Sequence, residues 1–143
     1  MPESIKRSGS CVCGSVKFDV TLPSLDMHVC HCTICRKLAG GPAFAVNCEK
    51  DVALEGEENL TWYRSSKWAE RAFCKICGTH LFFRLVDAEM PEWNMSASVL
   101  DKEDDFKITK HIYIDSKPPY YDLSDDAPRL TKEEFMAQLK EGM

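Results

Sequence analysis

No stretch of this 143-residue chain approaches the roughly 20 consecutive apolar residues that cross a bilayer, so no membrane span is expected. The opening MPESIKRSGS is polar and lacks the apolar centre of a secretory signal. The expectation is a soluble cytoplasmic protein, in a compartment that keeps thiols reduced. Runs of Lys or Arg are missing too, and 18 Lys+Arg stand against 23 Asp+Glu for a formal charge of -5. Phosphate binding needs concentrated positive charge, so no nucleic-acid partner is expected. Neither a repeat of solenoid length nor a low-complexity tract is present. What remains is a single domain over 1–143, with 44% hydrophobic residues and enough length to bury a core.

Against these absences stand eight cysteines. In a reduced compartment they read as metal ligands before disulfides. They fall into Cys11/Cys13, Cys30/Cys32/Cys35, Cys48 alone, and Cys74/Cys77. Two groups share a grammar: CVCGS and CKICGT each end in Cys-Gly-Ser/Thr and run straight into a strand pattern. Gly14 and Gly78 suit a tight turn whose amides face thiolate sulfurs. Two such knuckles far apart in sequence predict a closed structural zinc site of Cys11, Cys13, Cys74 and Cys77.

Most of the rest reads as strand. Val16, Phe18 and Val20 alternate with Lys17 and Asp19 until Pro23 stops them; Phe44, Val46 and Cys48 alternate likewise. NLTWYRSS, RAFC, THLFFRLV and KHIYID are further strand candidates, while SKPPYYDLSDDAPRL reads as an extended tail. The stretch from Asp87 to Phe106 reads as loop with a short strand. One helix is marked, about 131–141, by a Thr131–Glu134 capping box and a Leu130/Phe135 staple. The fold class is therefore mainly β, with a short C-terminal helix.

CHCTIC, at 30–35, is chemically different from the knuckles: Cys30, Cys32 and Cys35 are followed by Arg36 and Lys37, not by glycine and a strand. Three thiolates on a zinc leave a negative charge that two adjacent cations would moderate, and those cations favour an incoming thiolate or carboxylate. In an extended C-x-C, His31 points away from the metal. The fourth place falls to His28, to Cys48, or to a water or substrate thiol. An open position is what separates a catalytic zinc from a structural one.

The segments GSCVCGSVKF, CHCTICRKLAG, RAFCKICGTHLFF and KHIYIDSKPPYYDL resemble, in order and over roughly 9–123, the glutathione-dependent formaldehyde-activating enzymes, to which centromere protein V is related. The resemblance implies a β-tent of several small coiled sheets around one structural zinc on Cys11, Cys13, Cys74 and Cys77. It also implies a second, catalytic zinc on Cys30, Cys32 and Cys35, with the fourth position kept for the working thiol; Cys48 is then a buried thiol beside Phe44 and Val46. The implied activity is carbon–sulfur lyase chemistry joining glutathione and formaldehyde as S-hydroxymethylglutathione. In that reading His31 protonates the new alkoxide, Arg36 and Lys37 hold glutathione carboxylates, and Trp62, Trp68 and Trp93 pack in the core or line a cleft. The alternatives are a zinc-stabilised protein-binding module, with YYDLSDDAP as a docking segment, and a store of metal or thiol.

Overall fold

The computed structural model describes residues 5–49, 52–86 and 92–141. The predicted alternation at Val16, Phe18 and Val20 holds: these residues are buried, and β2 (Lys17–Leu22) stops before Pro23. It lies between β1 (Ile5–Ser10) and β5 (Val52–Glu55) in a three-stranded antiparallel sheet.

Among the described residues the larger sheet has seven strands: β3 (Asp26–Cys30), β4 (Ala43–Glu49), β6 (Leu60–Arg64), β7 (Ala69–Cys74), β8 (His80–Leu85), β9 (Trp93–Ser96) and β10 (Lys107–Ile112). Their order across the sheet is β10-β3-β4-β9-β8-β7-β6. Among the described strands of this sheet, β10 pairs with β3 in parallel and the other pairings are antiparallel. The chain is thus mainly β, as expected, and its described strands form two sheets, one of them large.

One cross-strand row shows why these sequences pair as they do. Trp62, Ala72, Phe82, Met95, Val46 and Met27 are successive partners, and partners on adjacent strands share a face. All six belong to or pack on the main core, together with Phe18, Val20 and Leu22 of the smaller sheet. The core therefore lies between the two sheets. Trp62 and Trp93 meet edge to face at 5.2 Å, with Arg84 3.7 Å above the Trp62 ring, so these two tryptophans serve packing. Trp68 is exposed.

The opposite face of the seven-stranded sheet carries a different row: Arg71, Phe83, Asn94 and Asn47, with Cys30, Ala43 and His28 further along. A bulge between Ala72 and Phe73 in the β7–β8 pairing brings His80 opposite Phe73. It lets the consecutive Leu81 and Phe82 both enter the core and turns His80 to the other face, the kind of re-aiming a bulge performs.

The C-terminal helix α2 (Lys132–Glu141) begins where predicted. Glu134 N–H donates to Thr131 Oγ1 at 3.1 Å and Thr131 N–H to Glu134 Oε1 at 2.9 Å, completing the capping box. Leu130 and Phe135 pack on the cluster of Cys30, Cys35 and Ile112. The preceding tail is extended but anchored: His111 N–H donates to Pro128 O and Leu130 N–H to His111 O, covering the free edge of β10.

The sequence reading did not anticipate a helix at TICRKLA. Helix α1 (Thr33–Ala39) starts there, with Cys32 as its N-cap, and ends at Gly40 in the left-handed conformation, φ 77°. A cysteine cap is easily missed because Ser, Thr, Asp and Asn are the usual signals.

Candidate metal centres

The two knuckles are near copies. In each, the first cysteine's N–H closes the loop onto a carbonyl five residues on, Cys11 to Val16 and Cys74 to Thr79, both at 3.0 Å. In each, a glycine at φ 79° or 81° donates back to that cysteine's carbonyl, Gly14 to Cys11 and Gly78 to Cys74. In each, the hydroxyl after the glycine lies beside the second sulfur, Ser15 at 3.2 Å from Cys13 and Thr79 at 3.1 Å from Cys77. Val12 N–H donates to Thr79 Oγ1, tying one knuckle to the other across 67 positions.

The sulfurs of Cys11, Cys13, Cys74 and Cys77 all lie within 4.8 Å of one another. Cys11 to Cys13 is 3.6 Å and Cys13 to Cys74 is 3.8 Å. Zinc–sulfur bonds of about 2.3 Å in a tetrahedron put sulfurs about 3.8 Å apart, so this group fits a four-coordinate zinc.

Among the described residues the second group is Cys30, Cys32 and Cys35, again with sulfurs within 4.8 Å. Cys30 ends β3, Cys32 caps α1 and accepts from Cys35 N–H at 3.3 Å, and Cys35 sits in the first turn. Bonds from Cys30 and Cys35 hold the Cys32 thiol down to about 2, while Cys30 is pushed well up by its bonded neighbours and burial. One negative sulfur is comfortable there; three need a cation between them, which is the chemistry of a metal site.

Neither His28 nor Cys48 contributes a ligand atom to this group. Cys48 lies in the main core and its thiol donates to Trp93 O at 3.3 Å, with Val46 also buried there; Phe44, placed beside it by the sequence, is 36% exposed. Burial, and then Lys110 opposite it in register, hold the His28 imidazole down to about 4.

His31 is turned away from the cysteines into a buried polar chain. Its Nδ1 lies 2.7 Å from Tyr121 Oη and its Nε2 2.9 Å from His111 Nδ1; His111 Nε2 in turn lies 2.9 Å from Asp125, which also takes Arg129. Both ring nitrogens of His31 are engaged and the residue is 1% exposed. Arg36 donates to His31 O at 3.0 Å and Ser116 O at 3.1 Å, fastening α1 to the turn after β10. Lys37 is exposed on α1.

The sequence reading missed three groups at this site. Arg71, 7% exposed, donates from Nη1 to Cys35 Sγ at 3.3 Å and from Nε to Ser65 Oγ at 3.2 Å, and stacks 4.8 Å from the Phe83 ring centre. Tyr113 packs against Cys30 and Cys35 with φ 57°, the single described non-glycine residue in that region, where strain gathers at functional sites. His80 is the third. The signal the sequence offered was an arginine inside a short strand pattern, flanked by Glu70 and Ala72 and leading into Cys74.

Comparison with known proteins fits this arrangement. Residues 6–116 match the family model for the glutathione-dependent formaldehyde-activating enzyme. An uncharacterized lyase of Schizosaccharomyces pombe is 30% identical over 97% of this chain and 98% of its own. A Halomonas elongata protein provisionally named a glutathione-dependent formaldehyde-activating enzyme is 31% identical, over 80% of this chain and 79% of its own. A crystal structure of a Rhodobacter sphaeroides protein shares the fold, with a TM-score of 0.60 and 24% identity over 85% of this chain and 98% of that one. The chain belongs to the glutathione-dependent formaldehyde-activating enzyme family.

Proposed function

We propose that this chain is a zinc-dependent carbon–sulfur lyase that joins the thiol of glutathione to formaldehyde, giving S-hydroxymethylglutathione, and reverses that step. The observation that carries the reading is the second cysteine group: three sulfurs within 4.8 Å and, among the described residues, no fourth protein ligand, in a chain of this family. The name of the fission-yeast relative, a lyase, points the same way.

In this reading Cys11, Cys13, Cys74 and Cys77 hold a structural zinc that locks β2 to the β7–β8 hairpin. Cys30, Cys32 and Cys35 hold the working zinc, which when bound lowers the proton affinity of an incoming thiol and can polarise a carbonyl. Arg71 offsets part of the negative charge of the three sulfurs. Lys37, exposed on α1, is the better placed of the two predicted cations for a glutathione carboxylate, since Arg36 already serves two backbone carbonyls. A proton from His31 would have to pass through Tyr121, because its other nitrogen faces His111. We place the protein in the cytoplasm as one unit over 1–143, working on a small thiol. None of the described helices is long and apolar enough to cross a membrane.

The test is zinc per chain, measured with and without glutathione, together with exchange NMR of 13C-formaldehyde and glutathione. About two zinc ions, the second retained better with glutathione, and accelerated exchange support the lyase. A single zinc indifferent to glutathione, without acceleration, leaves a zinc-stabilised binding module.

A further inference from the structure

The seven-stranded sheet curls over the second cysteine group. Cys30 ends β3 and Arg71 lies on β7, four strands along. At about 4.8 Å per strand they would stand about 19 Å apart on a flat sheet. Yet Arg71 touches Cys35, whose sulfur lies within 4.8 Å of Cys30. The face opposite the main core is therefore the inside of a curl, and the side chains of β7 and β8 on that face share it with Arg71.

His80 is one of them. Its register partner Phe73 is two residues from Arg71 on β7, and the bulge turns the imidazole to that same face. Among the described residues it is the single side chain whose shielded nitrogens have no hydrogen-bond partner: both Nδ1 and Nε2 are buried and unpaired. Leaving a buried polar group unpaired costs about 1–3 kcal/mol, so such a group calls for an explanation. The contrast with His31 is direct. That histidine, between two of the ligands in sequence, has both nitrogens taken; His80, remote in sequence, has both unpaired.

We infer that His80 is the acid–base residue of the second site, an assignment that rests on the lyase reading. As glutathione arrives, a ring nitrogen of His80 takes the thiol proton. The sulfur attacks the aldehyde carbon, the C–S bond forms, and the π pair of the C=O bond moves to oxygen. The imidazolium then returns its proton to that oxygen, giving the hydroxymethyl thioether. One thiol proton is taken and one hydroxyl proton is given, so no further reactant is needed. Burial, and then the Arg71 cation, hold the imidazole down to about 4; it meets the thiol neutral and, once protonated, is a strong acid toward an alkoxide.

Zinc-loaded wild type, H80Q and H80L are compared by exchange NMR with 13C-formaldehyde and glutathione, after equal zinc content and intact folding are verified. We expect the catalysed rate to fall about 100-fold or more in both variants. A second readout is long-range 1H–15N NMR of the His80 ring, assigned by its loss in H80Q. Its nitrogens shift when glutathione is added to the wild type. An active wild type with both variants within twofold of it overturns the His80 assignment alone, as do ring signals indifferent to glutathione. A wild type that does not accelerate exchange overturns the lyase reading, and the assignment with it.

Discussion

Arg71 on β7 donates from Nη1 to Cys35 Sγ on α1 at 3.3 Å, joining the far side of the large sheet to the three-cysteine group. The guanidinium is held by Ser65 Oγ on one side and the Phe83 ring on the other, so it meets the sulfur at little further entropic cost. Second-layer partners of this kind commonly change metal affinity 10–100-fold. R71M should weaken zinc at the second site by about that factor and leave the first site intact. Competition with a chromophoric chelator, read as two separate affinities, checks this; equal affinities in R71M and wild type would remove Arg71 from the site.

The two cysteine groups should respond differently to loss of one ligand. C74S breaks the site that ties the knuckles together, and a zinc bound there, worth about 10 kcal/mol, would be of the same size as the whole stability of a typical domain. C74S should therefore be largely unfolded by circular dichroism. C32S should keep its fold, one zinc and a cooperative urea transition while losing the second metal. A folded C74S would show that the first site is dispensable for the fold.

Stability should fall with acid through His80. Its folded value lies near 4, against an ordinary 6.5 in the unfolded chain. Below pH 6.5 the unfolded state binds the extra proton first; the associated stability is fully present above that point and is lost as pH falls toward 4. At complete loss this amounts to at most about 3 kcal/mol. The difference in urea-unfolding free energy between pH 7 and pH 5 should be smaller in H80L than in wild type. Equal differences would mean that the ring is protonated without penalty in the fold.

The chain Tyr121–His31–His111–Asp125–Arg129 fastens the proline-rich tail beneath the second group. H111L leaves His31 Nε2 without its partner, while Asp125 keeps Arg129 and the Ala127 N–H, at an expected cost of about 1–3 kcal/mol. Limited proteolysis should then cut between Pro118 and Ala127 faster than in wild type. Unchanged cleavage would show that the backbone bonds along β10 suffice to hold the tail.

Much of this was legible in sequence because it is local. A knuckle is built by five or six consecutive residues, so Cys-Gly-Ser and Cys-Gly-Thr announce both its turn and its donors. The Thr131 capping box spans one helical turn, and the alternation at Val16, Phe18 and Val20 reports a face directly. Helix α1 was not legible, since its cap is a cysteine and TICRKLA is too short for its period to show. The exposure of Phe44 was not legible either: the residue keeps the alternation of β4 but stands near the rim of the sheet.

By itself, then, the sequence determined the mainly β class, the pairing of Cys11/Cys13 with Cys74/Cys77, the distinct character of Cys30, Cys32 and Cys35, and the C-terminal helix. Only the tertiary structure decided what surrounds that second group. His31, adjacent in sequence, is drawn into a buried chain by Tyr121 and His111, 90 and 80 positions away. Arg71 and His80, far off in sequence, are brought to the inner face by strand order and by one bulge. Strand register decides which face a side chain takes, and a shift of one residue reverses it. Register is set by pairing across the whole sheet, so no local stretch of this sequence carries it.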